Sequence, residues 1–65
     1  MAKNKVLKGE DVRISCGVCD FIAKRDEDGD VRMQSVVGTN VLTEILIPAN
    51  AVRGIADYLS QAQKM

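Results

Sequence analysis

Three groups of residues in this sequence have types and spacings that could do chemistry. Cys16 and Cys19 form C-x-x-C, the spacing at which two thiolates reach one metal ion or close a redox pair. Asp26, Asp28 and Asp30 place carboxylates at alternate positions, as the start of a calcium loop does. Arg13, Lys24 and Arg32 are cations separated along the chain, and they matter only if the fold gathers them. Acid–base and nucleophilic machinery is missing. The chain has no His, no Ser lies in a G-x-S-x-G elbow, and Ser15, Ser35 and Ser60 have no evident general base. A small chain of this kind is expected to bind rather than catalyse, and to need no cofactor.

The first two groups have simpler readings. A structural zinc needs four ligands, and only Cys16 and Cys19 are present. A symmetric dimer could supply the second pair, giving an inter-subunit site of four thiolates. The alternative is two small buried residues flanking a hairpin turn. A thioredoxin-like dithiol would want a βαβ context, which this pattern does not offer. In the acidic run, Gly29 falls at loop position four where calcium loops want it at six. Val37 stands at position twelve in place of Glu. An acidic hairpin tip in water fits better.

Size and charge limit the choices. With 65 residues the chain is one domain, and such a chain buries only about 60% of its unfolded surface. One Phe and one Tyr leave the core aliphatic, and two cysteines cannot staple it. Association with copies of itself would supply the missing burial, most simply as a two-fold dimer. Nine basic and nine acidic residues give zero net charge, which argues against strong nonspecific DNA binding. Lys3, Lys5 and Lys8 make residues 1–8 a basic arm, expected to be mobile, ahead of a single domain over 9–65. Met1 to Lys8 holds no apolar signal region, and no run approaches the ~20 apolar residues of a membrane span. A soluble cytoplasmic protein is the expectation.

Turn chemistry sets the strand pairing that would position the cations. In Cys16-Gly17-Val18-Cys19, Gly17 takes the first place of a two-residue loop, as a type II′ turn requires. Cys16 then faces Cys19, Ile14 faces Phe21 and Val12 faces Ala23, all on one side of the sheet. Asp11 falls opposite Lys24, and Ser15 opposite Asp20. In Asp26-Glu27-Asp28-Gly29-Asp30, Gly29 ends a three-residue loop with a G1 bulge. That loop places Ala23 opposite Met33, Phe21 opposite Ser35, Cys19 opposite Val37 and Lys24 opposite Arg32. Gly38-Thr39-Asn40 is read as a third turn with Asn40 in left-handed geometry. It sends Val41, Thr43, Ile45 and Ile47 to the same apolar side.

Pro48 ends the fourth strand, and a helix is predicted from about Ala49 to about Gln63. Pro48 as first helical residue or Asn50 as N-cap would start it. Val52, Ile55, Ala56, Leu59 and Ala62 form one apolar stripe. Gly54, costing up to ~1 kcal/mol within a helix, would permit a close approach of another element. The fold class is therefore α+β: a four-stranded antiparallel meander and one C-terminal amphipathic helix. The helix is expected to cover the side bearing Val12, Ile14, Phe21, Met33 and Ile45. The reverse side would carry Arg13, Ile22, Lys24, Arg32, Gln34, Val36, Leu42, Glu44 and Leu46.

On that reverse side Lys24, Arg32 and Arg13 would cluster, an arrangement of like charges that a bound anion relieves. Ile22, Gln34, Val36, Leu42 and Leu46 add contacts for a base or a partner, and Lys5 and Lys8 could add cations from the arm. A solvated face neutralised by Asp11, Asp20 and Glu44 is the plainer reading.

The strand order, with the join Ile45-Leu46-Ile47-Pro48-Ala49-Asn50-Ala51-Val52 into an amphipathic helix, resembles the single-stranded-DNA-binding transcriptional coactivators related to the Whirly fold. The resemblance implies a homodimer with single-stranded nucleic acid crossing the outer sheet faces, and Arg13, Lys24 and Arg32 as phosphate contacts. Base stacking normally uses exposed aromatics, whereas Phe21 is predicted to be inward and Tyr58 helical. A short or cyclic nucleotide fits the sparse charge equally well. The sequence thus points to a small homo-oligomeric binder of single-stranded nucleic acid or a phosphorylated nucleotide. The alternative is a protein–protein regulator or inhibitor of viral or mobile-element type, docking a partner through its outer apolar face or edge strands.

Overall fold

The computed structural model describes residues 5–64. Four strands, β1 (Val12–Ser15), β2 (Asp20–Arg25), β3 (Val31–Val37) and β4 (Asn40–Ile47), precede one helix, α1 (Ala49–Gln63). The strands form a single antiparallel sheet in the order β1-β2-β3-β4. This is the α+β meander expected from the turn residues, and α1 spans the predicted range.

The first two hairpins follow their loop chemistry. Gly17 has φ +89°, and the Cys16 amide donates to the Cys19 carbonyl at 2.9 Å to close a two-residue loop. Gly29 has φ +87°, between an Asp26 N–H that donates to the Asp30 carbonyl and its own N–H donating back to the Asp26 carbonyl. Positive φ is nearly free for Gly and costly for residues with a Cβ, so these two positions fix both loops. Val12 pairs with Ala23 and Ile14 with Phe21 across β1–β2, and Ala23 pairs with Met33 and Lys24 with Arg32 across β2–β3, as expected.

The third hairpin corrects the expectation. Val37 pairs with Asn40, so the loop is Gly38-Thr39, with Gly38 at φ +60° and Asn40 outside left-handed space. A register shift then restores the pairing of Ser35 with Thr43 and of Met33 with Ile45. Leu42 is the extra residue of this bulge. As a result Val41 lies opposite Val36, on the basic side, and not on the apolar side. Two rules compete here. Gly favours the first place of a two-residue loop, and the bulge absorbs the parity error downstream.

Burial inverts the expected layering. The best-buried side chains are Ile22 (0% exposed), Val36 (1%) and Gln34 (2%), all on the basic side. Residues 5–10 lie across them. The Leu7 amide donates to Gln34 Oε1 at 3.0 Å, and Gln34 Nε2 donates to the Lys5 carbonyl at 2.8 Å. Within the described part, 5–8 of the expected mobile arm is thus held on the sheet by a side chain that reads its backbone. The satisfied amide offsets the cost of burying Gln34.

The apolar side is only partly covered: Ala23, Ser35 and Ile47 are buried and Met33 is half-buried. Val12, Ile14, Phe21 and Ile45 are exposed, and α1 has no buried residue. The helix makes only marginal contact with the strands, contrary to the expected cover. Only Pro48 separates β4 from α1. Helix initiation also differs from expectation. Pro48 is the N-cap, with no side-chain cap of its own, and Asp30 Oδ1 instead accepts from the Ala49 N–H at 2.8 Å. Gly54 meets nothing within 4 Å and serves no close approach within the chain.

Candidate functional site

The register places Arg13, Lys24 and Arg32 on one side of the sheet. Arg13 lies opposite Ile22, which neighbours Gln34, and Lys24 lies directly opposite Arg32. Their surroundings separate them. Arg13 is held by Glu10 at 3.0 Å and Asp20 at 2.8 Å, so its charge is already spent on two carboxylates. These contacts have electrostatic consequences at both partners. The Glu10 carboxyl lies below its ordinary 4.5, first through a backbone hydrogen bond and then through Arg13. Arg13 is raised by its bonds to Glu10 and then Asp20.

Lys24 and Arg32 are more available. Lys24 Nζ donates to the Lys8 carbonyl at 3.2 Å and has no carboxylate partner among the described residues. Asp11 does not neutralise it as expected, because Asp11 Oδ2 accepts from the Arg25 amide at 2.8 Å. Among the described residues, Arg32 reaches only Glu44, at 3.5 Å. The Glu44 carboxylate is also engaged by a very short bond from Gln34 Nε2, so it is divided between two donors. The arm brings Lys8 to Lys24, and Lys5 and Lys8 are both exposed. Lys3 lies outside the described residues. The result is a rim of two cations, Lys24 and Arg32, at the edge of the arm, with the Lys8 backbone carbonyl beside Lys24. Leu46 sits directly opposite Arg32 and is exposed.

Of the expected base or partner contacts, Leu42 and Leu46 are exposed, whereas Ile22, Gln34 and Val36 are sealed beneath the arm. Those three cannot touch a ligand while the arm lies there. The arm itself is the feature that sequence reasoning missed. Apolar residues on both sides of the meander were the available signal, together with Val6-Leu7 inside a basic segment.

The other two chemical groups are positioned as turn residues. Cys16 is exposed and Cys19 half-buried, both as free thiols, so the pair is not the buried one expected. Turn flanks at the sheet end have nothing above them, which is why they stay accessible. The ligand oxygens of Asp26, Asp28 and Asp30 come within 4.8 Å of one another. Asp26 Oδ1 accepts from the Asp28 and Asp30 amides, and Asp30 caps α1, so two of the three carboxylates serve the backbone. No family model, curated protein or solved structure matches this chain. No helix among the described residues is long and apolar enough to cross a membrane.

Proposed function

We propose that this chain is a non-enzymatic, homo-oligomeric binding protein that takes single-stranded nucleic acid or a phosphorylated nucleotide along the cation rim. The observation that carries this reading is the direct pairing of Lys24 with Arg32, with one shared carboxylate, Glu44, nearby. Like charges side by side are unfavourable, and a phosphate between them reverses the sign of the interaction. Exposed Leu46 beside Arg32 offers apolar surface to a base or sugar. Arg13 leaves the contact set, since Glu10 and Asp20 already offset its charge.

The test is fluorescence anisotropy of a labelled single-stranded oligonucleotide, with a mononucleotide as competitor, over a range of salt. Binding should weaken with added salt, by roughly 0.7 in the log–log slope for each phosphate contacted. Binding that ignores salt, or no binding of either probe, would overturn the reading.

A second reading is favoured by a separate observation. Leu42 and Leu46 are exposed apolar residues of the kind that dock a protein. A regulator acting through them would bind its target independently of salt and lose it on Leu42→Asp or Leu46→Asp.

A further inference from the structure

We propose that α1 of one copy covers the apolar sheet side of a second copy, and that the exchange closes a two-fold dimer. This rests on the homo-oligomeric part of the function above and is independent of the ligand. The chain carries two apolar surfaces that it does not bring together. One is the helix stripe, where Ile55 is 40% and Leu59 59% exposed. The other is the sheet side, where Val12, Ile14, Phe21 and Ile45 are each more than 40% exposed. Within one chain they stay apart: α1 has no buried residue, β4 passes into it through Pro48 alone, and Asp30 holds its first turn.

The amount of uncovered surface suits a second copy. The chain exposes 5412 Å², whereas a compact monomer of 7.1 kDa exposes about 4,100 Å². Stable interfaces take roughly 800 Å² from each partner, and obligate homodimers take more. The excess of roughly 1,300 Å² is of the size that an obligate dimer removes from each subunit. The radius of gyration agrees, at 12.7 Å against about 10.7 Å for a compact chain of this length. The dimensions also match. Fifteen helical residues span about 22 Å. The eight residues of β4 span about 26 Å, so one helix covers the length of the sheet. A chain bearing both halves of a contact, used once in each direction, closes without residual surface.

The experiment is light-scattering mass measurement with isotope-filtered NMR, without nucleic acid, so that failure of oligonucleotide binding leaves it unaffected. Wild-type protein should have twice the 7.1 kDa chain mass. NOEs between labelled and unlabelled copies should join Leu59 methyls to Ile14 or Phe21. Leu59→Ala and Ile14→Ala should each raise the dimer dissociation constant, by up to about 30-fold if the residue is an interface anchor. Mixing Leu59→Asp with Ile14→Asp should restore a two-chain species, because one intact helix then meets one intact sheet. A folded wild-type monomer would overturn the proposal. So would a dimer whose intermolecular NOEs join helix to helix or sheet to sheet.

Discussion

Gln34 and Leu7 are joined across the basic side of the sheet: the Leu7 N–H donates to Gln34 Oε1 at 3.0 Å, 27 residues away in sequence. The same amide group donates to the Lys5 carbonyl and to Glu44, so a buried polar side chain has every direction answered. This bond converts the N-terminal segment from a tail into a cover, and that cover decides which residues of the basic side a ligand can reach.

Gln34→Ala should therefore cost about 1–3 kcal/mol, since it removes the partner of the half-buried Leu7 amide and of the Lys5 carbonyl. Denaturant unfolding measures the loss. Hydrogen exchange at Leu7 should accelerate in the same variant. Unchanged exchange there would show that Gln34 does not hold the arm.

Asp30 links the acidic loop to α1 by accepting from the Ala49 amide at 2.8 Å. Loss of such a cap costs about 0.5–2 kcal/mol. Asp30→Ala should lose that much stability, and Asp30→Asn less, since it keeps the acceptor and gives up only the charge that favours a helix N-terminus. Chemical denaturation followed by circular dichroism separates the two.

The glycines should divide by conformation. Gly29→Ala forces a Cβ into φ +87° and sets it 3.4 Å from the Ala49 Cβ, so it should destabilise by about 1–2 kcal/mol. Gly54→Ala, in ordinary helix with nothing within 4 Å, should stabilise by up to about 1 kcal/mol. Thermal unfolding of the two variants should move in opposite directions.

The contact between Glu10 and Arg13 gives a pH dependence with a definite sign. The Glu10 carboxyl is held below its ordinary 4.5 in the folded chain, so its contribution is complete above that value. It is lost as pH falls through the lower folded value. Glu10→Gln should flatten the acid limb of the stability curve, read as the unfolding midpoint against pH. An acid limb identical to wild type would show that Glu10 makes no contribution.

Much of the fold was legible because turns and strand parity are local. Gly17 and Gly29 determine two hairpins, and Pro48 marks the strand end within one residue of α1. The Gly38-Thr39 loop escaped because a bulge at Leu42 hides the shift from any parity rule. The layering escaped for a different reason. An apolar stripe on α1 and an apolar sheet side predict that something covers each, but not that the cover is the same chain. The cation set was right about the side of the sheet but not about availability. Strand register places Arg13 beside Lys24 and Arg32, whereas its neutralisation depends on where Glu10 and Asp20 turn in three dimensions.

The most direct measurement is the affinity of a Lys24→Ala/Arg32→Ala variant for a single-stranded oligonucleotide, compared with wild type and with Arg13→Ala at equal salt. The two-cation variant should bind at least about tenfold more weakly, with a salt slope shallower by about 1.4, while Arg13→Ala stays near wild type. Equal affinity and slope for the two-cation variant and wild type would contradict the rim as the ligand site.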